Sequence, residues 1–484
     1  MGYMAYIRRV KTKSGATAVQ IVRKAYGRIV HLEHIGSAHT QTQLDMLLSL
    51  ARKLLLANQP SLFLEKEYPV KIRLKRSVSQ LLWQVLRSEY QNLGLDRLND
   101  DVFASLCLAR LVEPTSKLDS LRVMADLGIK PPERNRLYRC LAQAVKQDYR
   151  EKVSRICFSH CVKKDLSLVL YDVTTLYFEI QKEDGYRKPG LSKERRLEPQ
   201  IVVGLLVNRN GFPLALTSFT GNTAETKTIL PVIQSFQQSY GLKVVTVVAD
   251  AAMMNKTNLE TLAASGYHYV VGSRLTKVPY DLSEYRKKTG RELTDGGIVT
   301  EKPEDKDYRI IYQYREKRAA LDRQNLEKQL AKAKRIVLGQ APIHRAKFVA
   351  FTGKGKSLNQ RLIDKASSLV GIKGYVTNLE IPDEQVIEYY HQLFRVEASF
   401  RMAKSDLKAR PIFHRKQDSI EAHLTVVLAA MAVGKTIEVK TGLSLKQFIK
   451  TLRPIRSGMI TLNSHDYPVE AHIPEVIHTL LKKL

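Results

Sequence analysis

The chain has 484 residues, 44% of them hydrophobic, with 78 Lys and Arg against 48 Asp and Glu and a formal charge of +30. That length suits two to four domains, and the apolar share excludes a globally disordered chain. A basic excess of this size predicts a polyanionic partner, nucleic acid before an anionic membrane surface.

Residues 1 to about 36 predict a small β-meander, with YIRRV and AVQIV flanking a Ser14-Gly15 turn and RIVHLEHIG following. No apolar signal core appears in MGYMAYIRRV, and Tyr6 stands where a myristoylation site needs Ser or Thr. Thr40-Gln-Thr-Gln43 is a capping-box start for a helix through Leu56. Residues 77 to about 164 read as consecutive helices. Within them, DDVFASLCLARLV and KLDSLRVMADLG flank a Pro114-Thr-Ser116 break, a helix-turn-helix-like pair. The four cysteines, Cys107, Cys140, Cys157 and Cys161, are too few for a disulfide scaffold in so long a chain and fit a reducing compartment. Cys157, His160 and Cys161 read as part of a helix with buried thiols, because no second Cys/His pair follows at zinc-ligand spacing.

From Leu166 the texture changes to alternating strands and helices, which argues for an α/β domain. LSLVLYD is a buried strand, PQIVVGLLVNRNG and FPLALTSFTGN pair around Asn210-Gly211, and Thr228 to Tyr240 suits a helix. VVTVVAD is a second buried strand; a short helix over Asn258 to Ser265 and the strand YHYVVGS follow. Residues of about 275 to 365 are polar and basic, with a strand-like YRIIYQYR and a cationic helical segment whose charge suits phosphates. KGYVTNL resumes the core. In YYHQLFRVEASFRMAKSDLKARPIFHR, Leu393, Val396, Phe400, Ala403 and Leu407 recur at helical spacing, and Pro411 ends the helix. Beyond it, the longest strongly apolar run, near Leu424 to Val433, is shorter than a bilayer requires, so no membrane partner is expected.

Two acids close buried strands, Asp172 and Asp250. If those strands pair, their backbones lie about 4.8 Å apart. Two bare carboxylates that close would repel, and one would be forced to take up a proton. Divalent cations remove that cost, and Mg²⁺ accepts a site of few protein oxygens and several waters. A third acid from a helix on the sheet would complete a two-metal site, and Glu397, among Arg395, Arg401 and Lys404, is the candidate.

These residues resemble prokaryotic insertion-sequence transposases of the DDE class, in the group with a Tyr-x2-Arg-x3-Glu-x6-Lys signature. Tyr390, Glu397 and Lys404 stand at the matching spacing, and Leu393 replaces the Arg, leaving Arg395 and Arg401 as the cations at hand. YDVTTLYFE, VVADAAM, GLSKERRLEPQ, NGFPLALTSFTGNTAET, KGYVTNL and ARLVEPTSK match in order.

The resemblance implies a ribonuclease H-like mixed-sheet core of the α/β class over 165–274 and 366–435. It implies a basic insertion domain over 275–365, an N-terminal meander and helix over 1–60, a helical DNA-binding region over 61–164 and a C-terminal helical tail over 436–484. Asp172, Asp250 and Glu397 would be catalytic and hold two Mg²⁺ ions, with Mn²⁺ as a substitute. Tyr390, Arg395, Arg401 and Lys404 would contact DNA. The partners implied are the terminal inverted repeats of the element and target DNA, with a homodimer in the DNA complex, in the cytoplasm at the nucleoid. An inactive DNA-binding relative acting as a repressor and a structure-specific nuclease share most of these features. An RNA-binding module would show aromatic stacking platforms, and none is apparent.

Overall fold

The computed structural model describes all residues except 1–3, 57–71, 163–167, 180–181, 191–196, 242–244, 254, 274, 276–279, 292, 343–346, 353–354 and 463–464. Two compact units divide the chain, Met1–Ile72 and Arg73–Leu484.

In the first unit, strands β1 (Met4–Lys11), β2 (Thr17–Ala25) and β3 (Arg28–Ala38) form an antiparallel sheet. Gly15 turns the first hairpin at φ +80, a conformation that costs glycine nothing. Helix α1 (Gln41–Leu56) starts on a reciprocal cap: the Gln43 amide donates to the Thr40 hydroxyl at 3.3 Å, and the Gln43 side chain accepts from the amides of His39 and Thr40. Val19, Ile21, Leu48 and Ala51 are the buried centre between helix and sheet.

The second unit opens with strand β4 (Ile72–Val78) and helices α2 (Gln80–Asn92), α3 (Asp101–Val112), α4 (Ser120–Asp126), α5 (Arg134–Lys146) and α6 (Tyr149–Val162). The Asp100 carboxylate caps α3 by accepting from the amides of Val102 and Phe103. Every residue of α3 from Val102 to Val112 is buried. All four cysteines are buried, and none is joined in a disulfide.

Then come β5 (Leu168–Tyr177), β6 (Gln200–Asn208), β7 (Pro213–Thr220), α7 (Ile229–Tyr240), β8 (Thr246–Ala249), α8 (Lys256–Ala264), β9 (His268–Ser273) and α9 (Tyr280–Thr289). Strands β10 (Ile298–Glu301) and β11 (Arg309–Tyr314), helix α10 (Glu316–Val337), strands β12 (Val349–Thr352) and β13 (Gly355–Leu358), helix α11 (Gln360–Ser368) and strand β14 (Ile372–Thr377) follow. The main sheet has the order β10-β11-β14-β9-β8-β5-β6-β7. Strand β8 runs parallel to both β5 and β9, and the remaining pairs are antiparallel, so the sheet is mixed. Residues 275–365, expected as an insertion domain, divide in two here. Strands β10 and β11 extend the main sheet through β14, because RIIYQY is apolar enough to be covered. Helix α10 instead packs with β12, β13 and α11 around Ala333, Ile336, Phe348 and Val349.

The last elements are α12 (Asp383–His391), α13 (Phe394–Arg401), α14 (Gln417–Thr441), α15 (Leu445–Leu452), β15 (Ser457–Leu462), β16 (His465–Val469) and α16 (Glu475–Leu481). Helix α14 is long and apolar enough to cross a membrane, yet most of it is buried here, against α2, α3, α5, α6 and β7. Residues 436–484, expected as a helical tail, also carry the hairpin β15–β16, which pairs with β4 in the order β16-β15-β4. The alternation there is short and only half-buried, which is why periodicity did not reveal it.

Candidate active site

Strands β5 and β8 place the first two acids. Their parallel register pairs Leu168 with Thr246 and Leu170 with Val248. Continued by two residues, that register sets Asp172 level with Asp250. Asp172 is half-buried within β5, whereas Asp250 is exposed just past the end of β8. The Asp250 carboxylate accepts the Ala251 amide at 2.7 Å and the Tyr390 hydroxyl at 3.1 Å, both on Oδ1.

The stretch from Tyr389 to Arg415 differs from the single helix its periodicity predicts. Helix α12 ends at His391 and α13 begins at Phe394. Between them the bonds tighten to three-residue spacing: Leu393 amide to Tyr390 carbonyl, Arg395 to Gln392, Val396 to Leu393. After α13 the chain widens into a π-helical turn, Met402–Asp406, which carries Lys404. The apolar stripe of Leu393, Val396, Phe400, Ala403 and Leu407 is nonetheless buried throughout. Segmentation lets one stripe follow the sheet while turning Tyr390 and Glu397 toward the strand ends.

Asp172, Asp250 and Glu397 line one cavity of about 320 Å³ with Lys373, Tyr390 and His391. Arg395, Arg401 and Lys404 are not among its lining residues. Arg395 is half-buried on α13 with its guanidinium 5.2 Å from the Phe394 ring, and Arg401 is exposed at the end of that helix. Lys193, Arg195 and Arg196, in the matched GLSKERRLEPQ stretch, lie outside the described residues.

Two polar residues of the cavity, Lys373 and His391, were not singled out from the sequence. Lys373, on β14, lies 4.2 Å from the centre of the Tyr390 ring. Burial pulls its ammonium below the usual lysine range and Arg318 of α10 adds to that, while Asp250 and Glu397 oppose it. His391 is held below the usual imidazole range by burial, then by Lys373 and Arg315. Burial, then Asp250, pushes the Tyr390 phenol up. The ring of Tyr390 also meets Tyr375 edge-on at 5.0 Å. Gly272 on β9 makes room: a Cβ there would sit 2.7 Å from the Tyr390 hydroxyl and 3.3 Å from the Ala251 Cβ. KGYVTNL carries the one usable signal, a lysine entering an otherwise apolar central strand.

The acidic donors are three carboxylates, hard oxygen ligands with no thiol beside them and one imidazole, His391, on the wall, a set that suits Mg²⁺ or Mn²⁺. Among the described residues no group of three or more His, Cys, Asp or Glu side chains forms a ready-made metal cage. An open set of carboxylates that leaves room for waters and a phosphate is the arrangement Mg²⁺ tolerates.

Comparison with known proteins gives the family. Residues 163–433, more than half of the chain, match the family model described as "Transposase DDE domain". No curated protein matches. Among solved structures, the chain resembles the piggyBac transposase in its synaptic complex with hairpin DNA, at 10% identity, 78% of this chain and 79% of that chain covered, and a TM-score of 0.42. That structural likeness is distant, and the family match alone spans Asp172, inside β5 rather than closing it as the sequence suggested, Asp250 just past β8, and Glu397 on α13. The chain belongs to the transposase DDE domain family.

Proposed function

We propose that this protein is the transposase of an insertion sequence, of the Tyr-x2-Arg-x3-Glu-x6-Lys group, and that it binds the terminal inverted repeats of its element and cuts there. The observation that carries the reading is the meeting of Asp172, Asp250 and Glu397, from three distant segments, at one cavity within a DDE transposase domain. In this reading those three carboxylates would hold two Mg²⁺ ions. The ions, when bound, supply charge stabilisation on both sides of an in-line phosphoryl displacement.

The chain's own groups do the rest. Tyr390 donates to Oδ1 of Asp250 and holds that carboxylate oxygen. Lys373 brings a cation to the wall where a phosphate would sit. Arg395, Arg401 and Lys404, along α13 and the turn after it, follow the DNA backbone outside the cavity. Water attacks the phosphodiester at the element's end; the new P–O bond forms as the bond to the 3′ oxygen breaks, freeing a 3′-OH. That hydroxyl attacks a phosphodiester of target DNA in the same site; its oxygen bonds to the phosphorus as the target's own P–O3′ bond breaks, the target strand leaves with a free 3′-OH, and no covalent protein–DNA link is needed. Joining two ends at once requires two active sites, so a homodimer assembles on DNA.

The test is nicking of a supercoiled plasmid that carries both element ends, with Mg²⁺ or Mn²⁺. The wild-type chain should cut, whereas Asp172→Asn, Asp250→Asn and Glu397→Gln should bind the same DNA and lose cutting by at least a thousandfold. Variants that cut like the wild type would overturn the site. A wild-type preparation that binds the ends and never cuts would favour a repressor instead.

A further inference from the structure

A second concave surface lies in the helical part of the Arg73–Leu484 unit. A groove of about 970 Å³ opens between β4, the end of α4 and the turn after α15, and it shares no residue with the acidic cavity. Its walls carry Arg76, Arg122, Lys130, Arg453 and Arg456 against one carboxylate, Asp126. Three of these cations are held in place. Arg453 donates to Asp126 at 3.3 Å and to Glu113 at 2.6 Å. Arg456 donates to Asp126 at 2.7 Å and to the Ser77 hydroxyl and carbonyl at 2.8 and 2.6 Å. Arg122 pairs with Glu113 and Asp119. Arg76 and Lys130 are exposed and make no ion pair among the described residues. The acids behind the wall therefore orient guanidinium groups without cancelling the groove's positive charge.

The pairs link Asp119, Arg122, Glu113, Arg453, Asp126 and Arg456 into one network, but Arg76 and Lys130 stand outside it, and stability does not account for two further like charges at its edge. Preset guanidinium forks beside two open cations are what a row of phosphates requires. We propose that this groove docks the sugar–phosphate backbone of duplex DNA, as an anchoring surface separate from the acidic cavity. The inference rests on the reading of the chain as a DNA transposase. It gives β4 a function: with α4, the turn after it and the turn after α15, it frames the groove. Backbone docking positions DNA without reading sequence, so the contacts should be indifferent to the bases.

The experiment uses the full chain and the double variant Arg76→Ala/Lys130→Ala. Both side chains are exposed, so thermal unfolding should be unchanged, which separates loss of binding from loss of fold. Affinity for two duplexes of unrelated sequence is measured by fluorescence anisotropy across a salt series. The variant should bind both duplexes more weakly by a similar factor, and its slope of log affinity against log salt should be shallower by about 2, one for each lost phosphate contact. An unchanged slope and affinity on duplex DNA would overturn the groove, and would be the result if its true occupant were RNA or an acidic protein. A loss confined to one of the two sequences would overturn backbone docking. Failure of the wild-type chain to bind any duplex would instead sink the transposase reading itself.

Discussion

Asp250 depends on a neighbour that sits 140 positions away in the chain, the hydroxyl of Tyr390. A hydrogen bond to a charged acceptor typically contributes about 1.5–3 kcal/mol, and here it holds Oδ1 of Asp250. Tyr390→Phe should therefore slow plasmid nicking roughly tenfold, equivalent to about 1.4 kcal/mol in the barrier, while DNA affinity stays within about twofold. Gly272→Ala should act through the same contact, since its new methyl would meet that hydroxyl at 2.7 Å. The two changes share one target, so the double variant should lose less than the product of the single losses. Strictly multiplicative losses would show that Gly272 and Tyr390 act separately. At this scale the sequence was informative where chemistry and position coincide. Asp172 and Asp250 each end or interrupt an apolar strand, and Glu397 stands beside the stripe of a helix. Lys373 was missed because one lysine in a strand is ordinary, and only the fold brings it over the Tyr390 ring.

Elements were legible where a local rule governs them. The Thr40 cap, the turn at Asn210-Gly211 between β6 and β7, and the buried runs of β5 and β8 all follow from neighbours in sequence. The break between α12 and α13 was not, because no Pro or Gly marks it; packing of the stripe on the sheet imposes it. Helix α14 shows the same dependence on context. It looks like a membrane span by composition, yet it is the helix on which the helical layer and β7 both pack. Its His423 lies in a buried basic cluster. The Nε2–H of His423 donates to the Ala409 carbonyl at 3.1 Å, and Lys117 donates to its Nδ1 at 3.1 Å. Burial, then Lys117 and Arg110, pulls His423 well below the imidazole range and His414 to about 4. Both histidines take up a proton more readily in the unfolded chain, near 6.5. The stability they contribute is thus fully present above about pH 6.5 and is lost as pH falls from there through the lowered folded values, by up to about 1.4 kcal/mol per pH unit for each. Thermal unfolding should shift down between about pH 7 and about pH 5, and His414→Gln and His423→Gln should each flatten that shift. An unaltered pH dependence in both variants would assign acid sensitivity to other groups.

For the whole molecule, sequence texture suggested separate helical and α/β domains, with a boundary near residue 165. Packing joins them. One contiguous buried cluster runs from Leu82 on α2 through the main sheet to Ile477 on α16, with α14 in its middle. The first unit keeps its own small core around Val19, Ile21, Leu48 and Ala51, with no member in the large one. Such joining is invisible locally, because it rests on contacts between distant segments, α6 and α14 both against β7 and α14 against α3 and α5. The consequence is a statement about cooperativity. Residues that share a core unfold together, whereas a unit with its own core unfolds on its own. A chain of residues 73–484 should fold without the first unit and show a single calorimetric transition that melts the α2–α6 layer and the main sheet at one temperature. Its midpoint should lie within about 2 °C of the main transition of the full chain, since removal of an independent unit takes little from the larger core. Two resolved transitions in the truncated chain would mean that α14 does not tie the layers together. The helical region would then be a domain of its own, as the sequence texture alone suggests.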